Sequence, residues 1–212
     1  MTYRIVSALL SYPQEELLEA LPDIRSALQS LPAAQDQLLP LVEFLEAHPL
    51  IALQENYVAT FDRNPSHSLH LFEHVHGESR DRGQAMVDLL QTYRQYGLEP
   101  AVPELPDHVP LFLEFLSVLP AEQARELLDD AIHVLASIGV RLARHGSPYA
   151  AVFDVLRNMT SVTPREHEAP PVRDMDEAME VFGPGPDGVE PLLRPRLSEV
   201  QPLRFYRGGV PR

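Results

Sequence analysis

Between Ala121 and Arg144 the residues Leu127, Leu128, Ala131, Ile132, Leu135, Ile138 and Leu142 recur at helical spacing. A strand alternates its faces every second residue, so this stripe is compatible with a long amphipathic helix and not with a sheet. Asp129, Asp130, His133, Ser137 and Arg141 line the opposite face. Acids gather toward the start of the segment, Arg141, Arg144 and His145 stand at its end, and Gly146 follows. Helix-dipole and C-cap preferences favour that order. The spacing therefore predicts a helix over 121–144, with His133 a solvated residue rather than a ligand.

The same reading extends over most of the chain. The opening MTYRIVSALLSYP reads as a first helix, because it lacks the small-residue cleavage site of a signal peptide. Asp36–Ala47, Leu50–Phe61 and Tyr149–Met159 also read as helical. Met86, Leu89, Leu90 and Tyr93 give Glu78–Gly97 an apolar side. Val109–Leu119 (VPLFLEFLSVL) is apolar nearly all round, which marks a short buried helix. Glu114 is its exception and needs a partner or a place at the helix edge. No period-two strands and no internal repeat occur, so the expected fold class is an all-α bundle.

Composition narrows what such a bundle does. The 212 residues suit one domain with a sizeable core. There is no cysteine, which removes disulfides, thiolate metal sites and sulfur-transfer chemistry by the protein itself. All 17 basic residues of the Lys+Arg count are arginine, so there is neither a Walker-type lysine nor a Schiff-base lysine. A net charge of −14 disfavours nucleic acid as a partner and suits a basic one. No apolar run approaches the roughly 20 residues needed to span a bilayer. The expected compartment is the cytoplasm.

The composition shifts near residue 162. The last 50 residues hold 9 of the 21 prolines and 5 of the 10 glycines. Such a segment buries little. The expected organisation is a helical domain over 1–162 and a mostly irregular tail over 163–212, with one short helix around Asp174–Phe182.

Four histidines fall within ten residues in the stretch His67–His76. Asn64-Pro65-Ser66 forms a turn with an N-cap residue and Gly77 a stop, which predicts a short helix over 67–76. On it His67, His70 and His74 share a face, and Leu71, Phe72 and Val75 another. His70-Leu-Phe-Glu73-His74 fits the H-x-x-E-H pattern of a zinc peptidase family, with two imidazoles four residues apart as neighbouring ligands. No second acidic motif and no strand edge for a peptide substrate accompanies it. The stretch thus reads either as a zinc-dependent hydrolase centre or as a polar helix face whose histidines bond their neighbours. Arg80, Asp81 and Arg82 follow. Adjacent residues do not meet across a helix, so either Arg80 or Arg82 reaches a carboxylate on a facing element, with Asp62 and Glu73 as candidates, or the segment is a surface that pairs with a partner's acids.

A second cluster, Glu104-Leu-Pro106-Asp107-His108-Val-Pro110, leads into the buried helix. Pro106 and Pro110 stiffen it, and Asp107 is placed to cap the helix that follows. In an acidic protein, a rigid loop presenting Glu104, Asp107 and His108 suits the basic side chains of an incoming peptide. Phe112 and Phe115 are candidate walls of a groove for its apolar face.

Tyr57-Val-x-Thr-Phe61-Asp62, the block SLHLFEHVHGESRDRGQAMVDL (Ser68–Leu89), Tyr93-x3-Gly97 and ELPDHVPLFLEFLS (Glu104–Ser117) together resemble the NarJ-type nitrate reductase assembly chaperones. That group is a branch of the all-helical TorD/DmsD superfamily. SALLSYP near the start and SPYA at Ser147–Ala150 match as well, so the resemblance covers roughly residues 3–160. It implies a protein that is not an enzyme, carries no cofactor or metal of its own and works in the cytoplasm. It implies binding of the N-terminal segment of the nitrate reductase catalytic subunit while the molybdenum cofactor is inserted, before that subunit docks at the membrane. Contact with the cofactor-insertion machinery is implied too. The superfamily's E-x-x-D-H loop for leader peptides falls on Glu104, Asp107 and His108. Tyr57, Leu69 and Phe72 are implied groove walls. His70, Glu73, His74, Arg80, Asp81 and Arg82 belong to the same recognition surface or its scaffold.

Overall fold

Helix follows helix along the chain, as the apolar spacing requires. A computed structural model describes residues 1–77, 79–101 and 104–165. The helices are α1 (Thr2–Leu10), α2 (Glu15–Leu28), α3 (Pro32–Ala47), α4 (Leu50–Tyr57), α5 (Leu71–His76), α6 (Arg80–Gln95), α7 (Val109–Val118), α8 (Ala121–Arg144) and α9 (Ala150–Asn158). A π-helical turn, Val58–Asp62, prolongs α4, and a 3-10 turn, Pro65–His67, precedes α5. Among the described residues no strand forms; His70 and His108 meet in one isolated antiparallel bridge. The fold is all-α. The tail expected over 163–212, including the helix expected at Asp174–Phe182, lies from residue 166 onward outside the described residues.

The α8 stripe is the spine of the core. Leu128, Ile132, Leu135, Ile138 and Leu142 are buried along it, and α8 packs against α9. Contact is close because of Gly139: a Cβ there would lie 2.6 Å from the Phe153 Cβ. Helix α9 also meets α3 and α1, and α1 lies against α7. The α8 spine ends where the sequence indicated, with Gly146 at φ +67°, a left-handed position that L side chains rarely adopt.

Helix α7 buries Val109, Phe112, Leu113, Phe115 and Leu116, while Glu114 is exposed, which answers the question its charge posed. Two long-range bonds hold this layer: Ser7 Oγ donates to the Pro110 carbonyl at 2.7 Å, and Tyr57 OH to the Leu10 carbonyl at 2.8 Å. Helix α6 is different. Ser79 Oγ caps it by accepting from the Asp81 amide at 3.2 Å, and of its residues only Tyr93 is fully buried. It lies along the edge of the bundle, held by α5.

Candidate functional site

The histidine stretch does not form the continuous helix expected over 67–76. Asn64 accepts from the Ser66 amide at 3.0 Å, which closes a 3-10 turn and carries His67 inward. Ser68–His70 then leave the helical path, with a bend at Leu69 and His70 bridged to His108, and α5 starts only at Leu71. His67, His70 and His74 consequently do not share a helical face. The cause is a pairing with the second cluster. The Leu71 amide donates to the Asp107 carbonyl at 3.1 Å, and the Val109 amide to the Leu69 carbonyl at 2.8 Å.

Asp107 also departs from local expectation. It caps α5 and not the α7 that follows it: its carboxylate accepts from the Phe72 amide at 3.0 Å and faces His70 Nδ1 at 3.3 Å. The side chain is fully buried, with 0% exposure. Burial pushes its pKa up, but the His70 bond and the Phe72 amide outweigh burial and leave it below the usual carboxylate range. His70 answers in the opposite sense, raised by its bond to Asp107 against the cost of burial. His108 stands beside it, ring centroids 5.3 Å apart, and is lowered by burial although Glu104 pulls it up.

Carboxylates converge on this histidine pair. Asp107, Glu73 and Glu104 all favour protonated His70, and His70 in turn acts on Asp62. Asp62 is largely exposed; the partial loss of water on its protein side raises its pKa, and His70 opposes that rise. Residues that lie from 3 to 38 positions away from His70 in sequence thus share one electrostatic neighbourhood. The loop is fixed from beneath, because Tyr93 OH donates to the Pro106 carbonyl at 2.7 Å and the Tyr93 ring lies 4.4 Å from that of Phe115. Glu104 and Leu105 remain at the surface, Leu105 with 41% exposure. Sequence reasoning missed Tyr93 as the loop's anchor, although it stands in the quoted Tyr93-x3-Gly97 motif.

The expected groove walls divide. Phe72 is half-buried and available at the rim. Tyr57, Leu69, Phe112 and Phe115 are each 4% exposed and belong to the core. This corrects their reading as free walls: each is consumed by packing, Tyr57 against Phe61 and Tyr149, Phe115 against Tyr93 and Tyr96. They support the surface from below.

The hydrolase reading of His70, Glu73 and His74 fails on the use of its donors. His70 Nδ1 serves Asp107. His74 Nε2–H donates to the Ser68 carbonyl at 2.8 Å, while its Nδ1 accepts from Arg141 at 3.5 Å. Glu73 accepts from Ser68 Oγ and pairs with Arg82 at 3.1 Å. Among the described residues no three His, Asp or Glu side chains are arranged to hold a metal ion. Arg82 is the arginine that reaches a facing carboxylate, joining α6 to α5; Arg80 and Asp81 are exposed in the first turn of α6.

Known proteins resemble this chain over the same region. The family model described as nitrate reductase delta subunit matches residues 27–154, which include both clusters. The nitrate reductase molybdenum cofactor assembly chaperone NarJ of Escherichia coli K12 is 45% identical over 166 residues, 74% of this chain and 68% of that protein. A probable chaperone of the same name from Bacillus subtilis strain 168 is 35% identical over 158 residues, 74% of this chain and 86% of its own. Among solved structures, a putative redox enzyme maturation protein from Archaeoglobus fulgidus superposes with a TM-score of 0.55 at 22% identity, over 74% of this chain and 90% of that one. That likeness speaks for the all-helical fold alone.

Proposed function

The chain belongs to the nitrate reductase delta subunit family and is of the molybdenum cofactor assembly chaperone type, not an enzyme; from that premise we propose that it binds the N-terminal segment of the nitrate reductase catalytic subunit. In this reading it holds the unfinished subunit in the cytoplasm while the cofactor machinery loads it, and delays docking at the membrane. No described helix is long and apolar enough to cross a membrane.

The observation that carries the reading is the loop Glu104–His108, pinned by Tyr93 and by the Leu69–Leu71 pairing while Glu104 and Leu105 stay exposed. A rigid loop loses little entropy on binding, so its contacts with a peptide are not offset by ordering. Asp62 and Glu104, with Glu73 already paired to Arg82, give the surface a negative rim around His70, and the chain's charge of −14 extends that field. Such a rim steers a basic amphipathic segment, and Phe72 and Leu105 supply apolar contact once it arrives. Tyr57, Leu69, Phe112 and Phe115 hold the shape of the surface, and Asp107 and Pro106 hold its loop.

Co-purification with the catalytic subunit tests this directly. The full subunit is expected to be retained, and a subunit lacking its first segment to be lost. A synthetic peptide of that segment should bind more weakly as salt rises, because exposed charges are screened over about 10 Å at 0.1 M ionic strength. Equal retention of full and truncated subunits would overturn the proposal, and salt-independent peptide binding would remove the electrostatic rim from it.

A further inference from the structure

Helix α6 is fastened near its two ends, and both fastenings land on the neighbourhood of the Glu104–His108 loop. At the rear, Tyr93 OH donates to the Pro106 carbonyl at 2.7 Å and the Tyr93 ring rests on Phe115. At the front, Arg82 Nη2 pairs with Glu73 Oε1 at 3.1 Å. Among the described residues these are the polar links from α6 to the loop before α7 and to α5. Between them Met86, Leu89 and Leu90 are only half-buried. Gly83, directly after Arg82, weakens helix propensity there. Little besides the ion pair therefore holds the front of the helix.

That pair is poorly matched for a purely structural link. Arg82 offers Glu73 one nitrogen, not the two-pronged grip that a guanidinium can give a carboxylate. Its Nε–H is buried without an acceptor. A buried donor left idle destabilises the arrangement that strands it. Nor is the pair sealed off: 21% of the Arg82 side chain and 22% of that of Glu73 face solvent, so another cation can reach the carboxylate. Glu73 also stands where such a cation would arrive, because it acts on His70 together with Asp107 and Glu104. Of these three carboxylates it is the one paired with an arginine.

We propose that Arg82 occupies Glu73 as an internal stand-in for a cation of the partner, and that a basic segment arriving at the Glu104–His108 surface displaces it and frees the first turns of α6. The inference rests on the partner reading above: the incoming group is an arginine or lysine of the catalytic subunit's leading segment. The exchange replaces one ion pair by another and lets the idle Arg82 Nε–H reach water, so it is nearly balanced. It also filters partners. The closed surface shows Asp62 and Glu104, and Glu73 joins them only for a segment basic enough to displace Arg82.

The test is calorimetric titration of the full chain with a synthetic peptide of that first segment, at low and fixed ionic strength. Arg82→Gln removes the competitor and should bind the peptide at least threefold more tightly than the parent. Arg80→Gln removes the same charge two residues away, from an exposed position, and should gain clearly less. Glu73→Gln should bind more weakly than the parent, and adding Arg82→Gln to it should change nothing, because the two substitutions act through one pair. Hydrogen exchange of the parent reads the same event without a variant: saturating peptide should speed exchange of the amides at 84–88 and leave that of Tyr93 slow. Peptide binding by Arg82→Gln equal to or weaker than the parent's, or binding that leaves the front of α6 as protected as before, would overturn the displacement while the partner reading stands. A peptide that does not bind the parent at all would overturn both.

Discussion

Asp107 caps helix α5 by accepting from the Phe72 amide at 3.0 Å, across 35 positions of sequence. The same carboxylate orients His70, so one buried charge ties the histidine stretch to the loop before α7. Removing it orphans an amide at the start of α5 and a ring nitrogen. Loss of a cap costs about 1 kcal/mol, and stranding partners of a buried charge costs about 1–3 more. Asp107→Ala is therefore expected to lower unfolding free energy by about 2–4 kcal/mol in urea titration. Asp107→Asn keeps an acceptor and should lose roughly half as much. A midpoint for Asp107→Ala within experimental error of the parent would refute the bridging role.

His67 sets a separate dependence on pH. Burial lowers its pKa to about 4 from 6.5, only partly opposed by its bond from Nδ1–H to the Thr60 carbonyl at 3.1 Å. Below pH 6.5 the unfolded chain binds a proton that the folded chain refuses. The stabilisation is thus present above 6.5 and is lost as pH falls through the window toward 4, to a total on the order of 3 kcal/mol. His70, raised by Asp107, works in the reverse sense, losing its contribution as pH rises through its folded pKa. Unfolding free energies measured between pH 7 and 4 should fall less steeply in His67→Gln than in the parent. Parallel curves would assign the acid sensitivity elsewhere.

Two glycines inside helices should respond oppositely to the same change. At Gly139 an added Cβ would sit 2.6 Å from the Phe153 Cβ, and neither atom is the end of a flexible chain. Helices α8 and α9 would have to separate. Overpacking of that kind costs about 1–3 kcal/mol, more than the gain of up to about 1 kcal/mol from helix propensity. At Gly83, in α6, nothing lies within 4 Å. Gly83→Ala should therefore raise the thermal midpoint and Gly139→Ala lower it. A rise in both would mean that the helices yield without cost.

The contrast between α8 and the histidine stretch shows what a sequence reveals locally. Helix α8 has the bounds its stripe indicated, because its face, its end charges and Gly146 all agree. Helix α2 was not among the expected helices; it carries Pro22 within it, and burial of Leu21, Ile24 and Leu28 holds it together. The stretch 67–76 and the Asp107 cap were misjudged for one shared reason. Local rules assigned Asn64 and Asp107 to the helices after them, whereas pairing of Leu69–Leu71 with Asp107–Val109 decided the geometry. Residue types also cannot separate a wall from a core: Phe72 and Phe115 look alike in sequence, yet only the first reaches the surface.

His70 rather than His108 should govern how partner binding follows pH. Burial lowers the His108 imidazole, against the pull of Glu104, and so favours its neutral form. His70 is raised by Asp107 and partly exposed, facing Asp62, Glu73, Glu104 and His108. Protonation places a positive charge inside the acidic rim, so a basic leading segment should bind more weakly as pH falls through the raised His70 pKa. The loss is expected to be several-fold at low salt, consistent with about 1 kcal/mol for one added charge at partly screened distance. Peptide titrations at pH 5.5 and 8 should show it in the parent and in His108→Gln, and show it diminished in His70→Asn. A pH response that persists in His70→Asn and vanishes in His108→Gln would reverse the assignment.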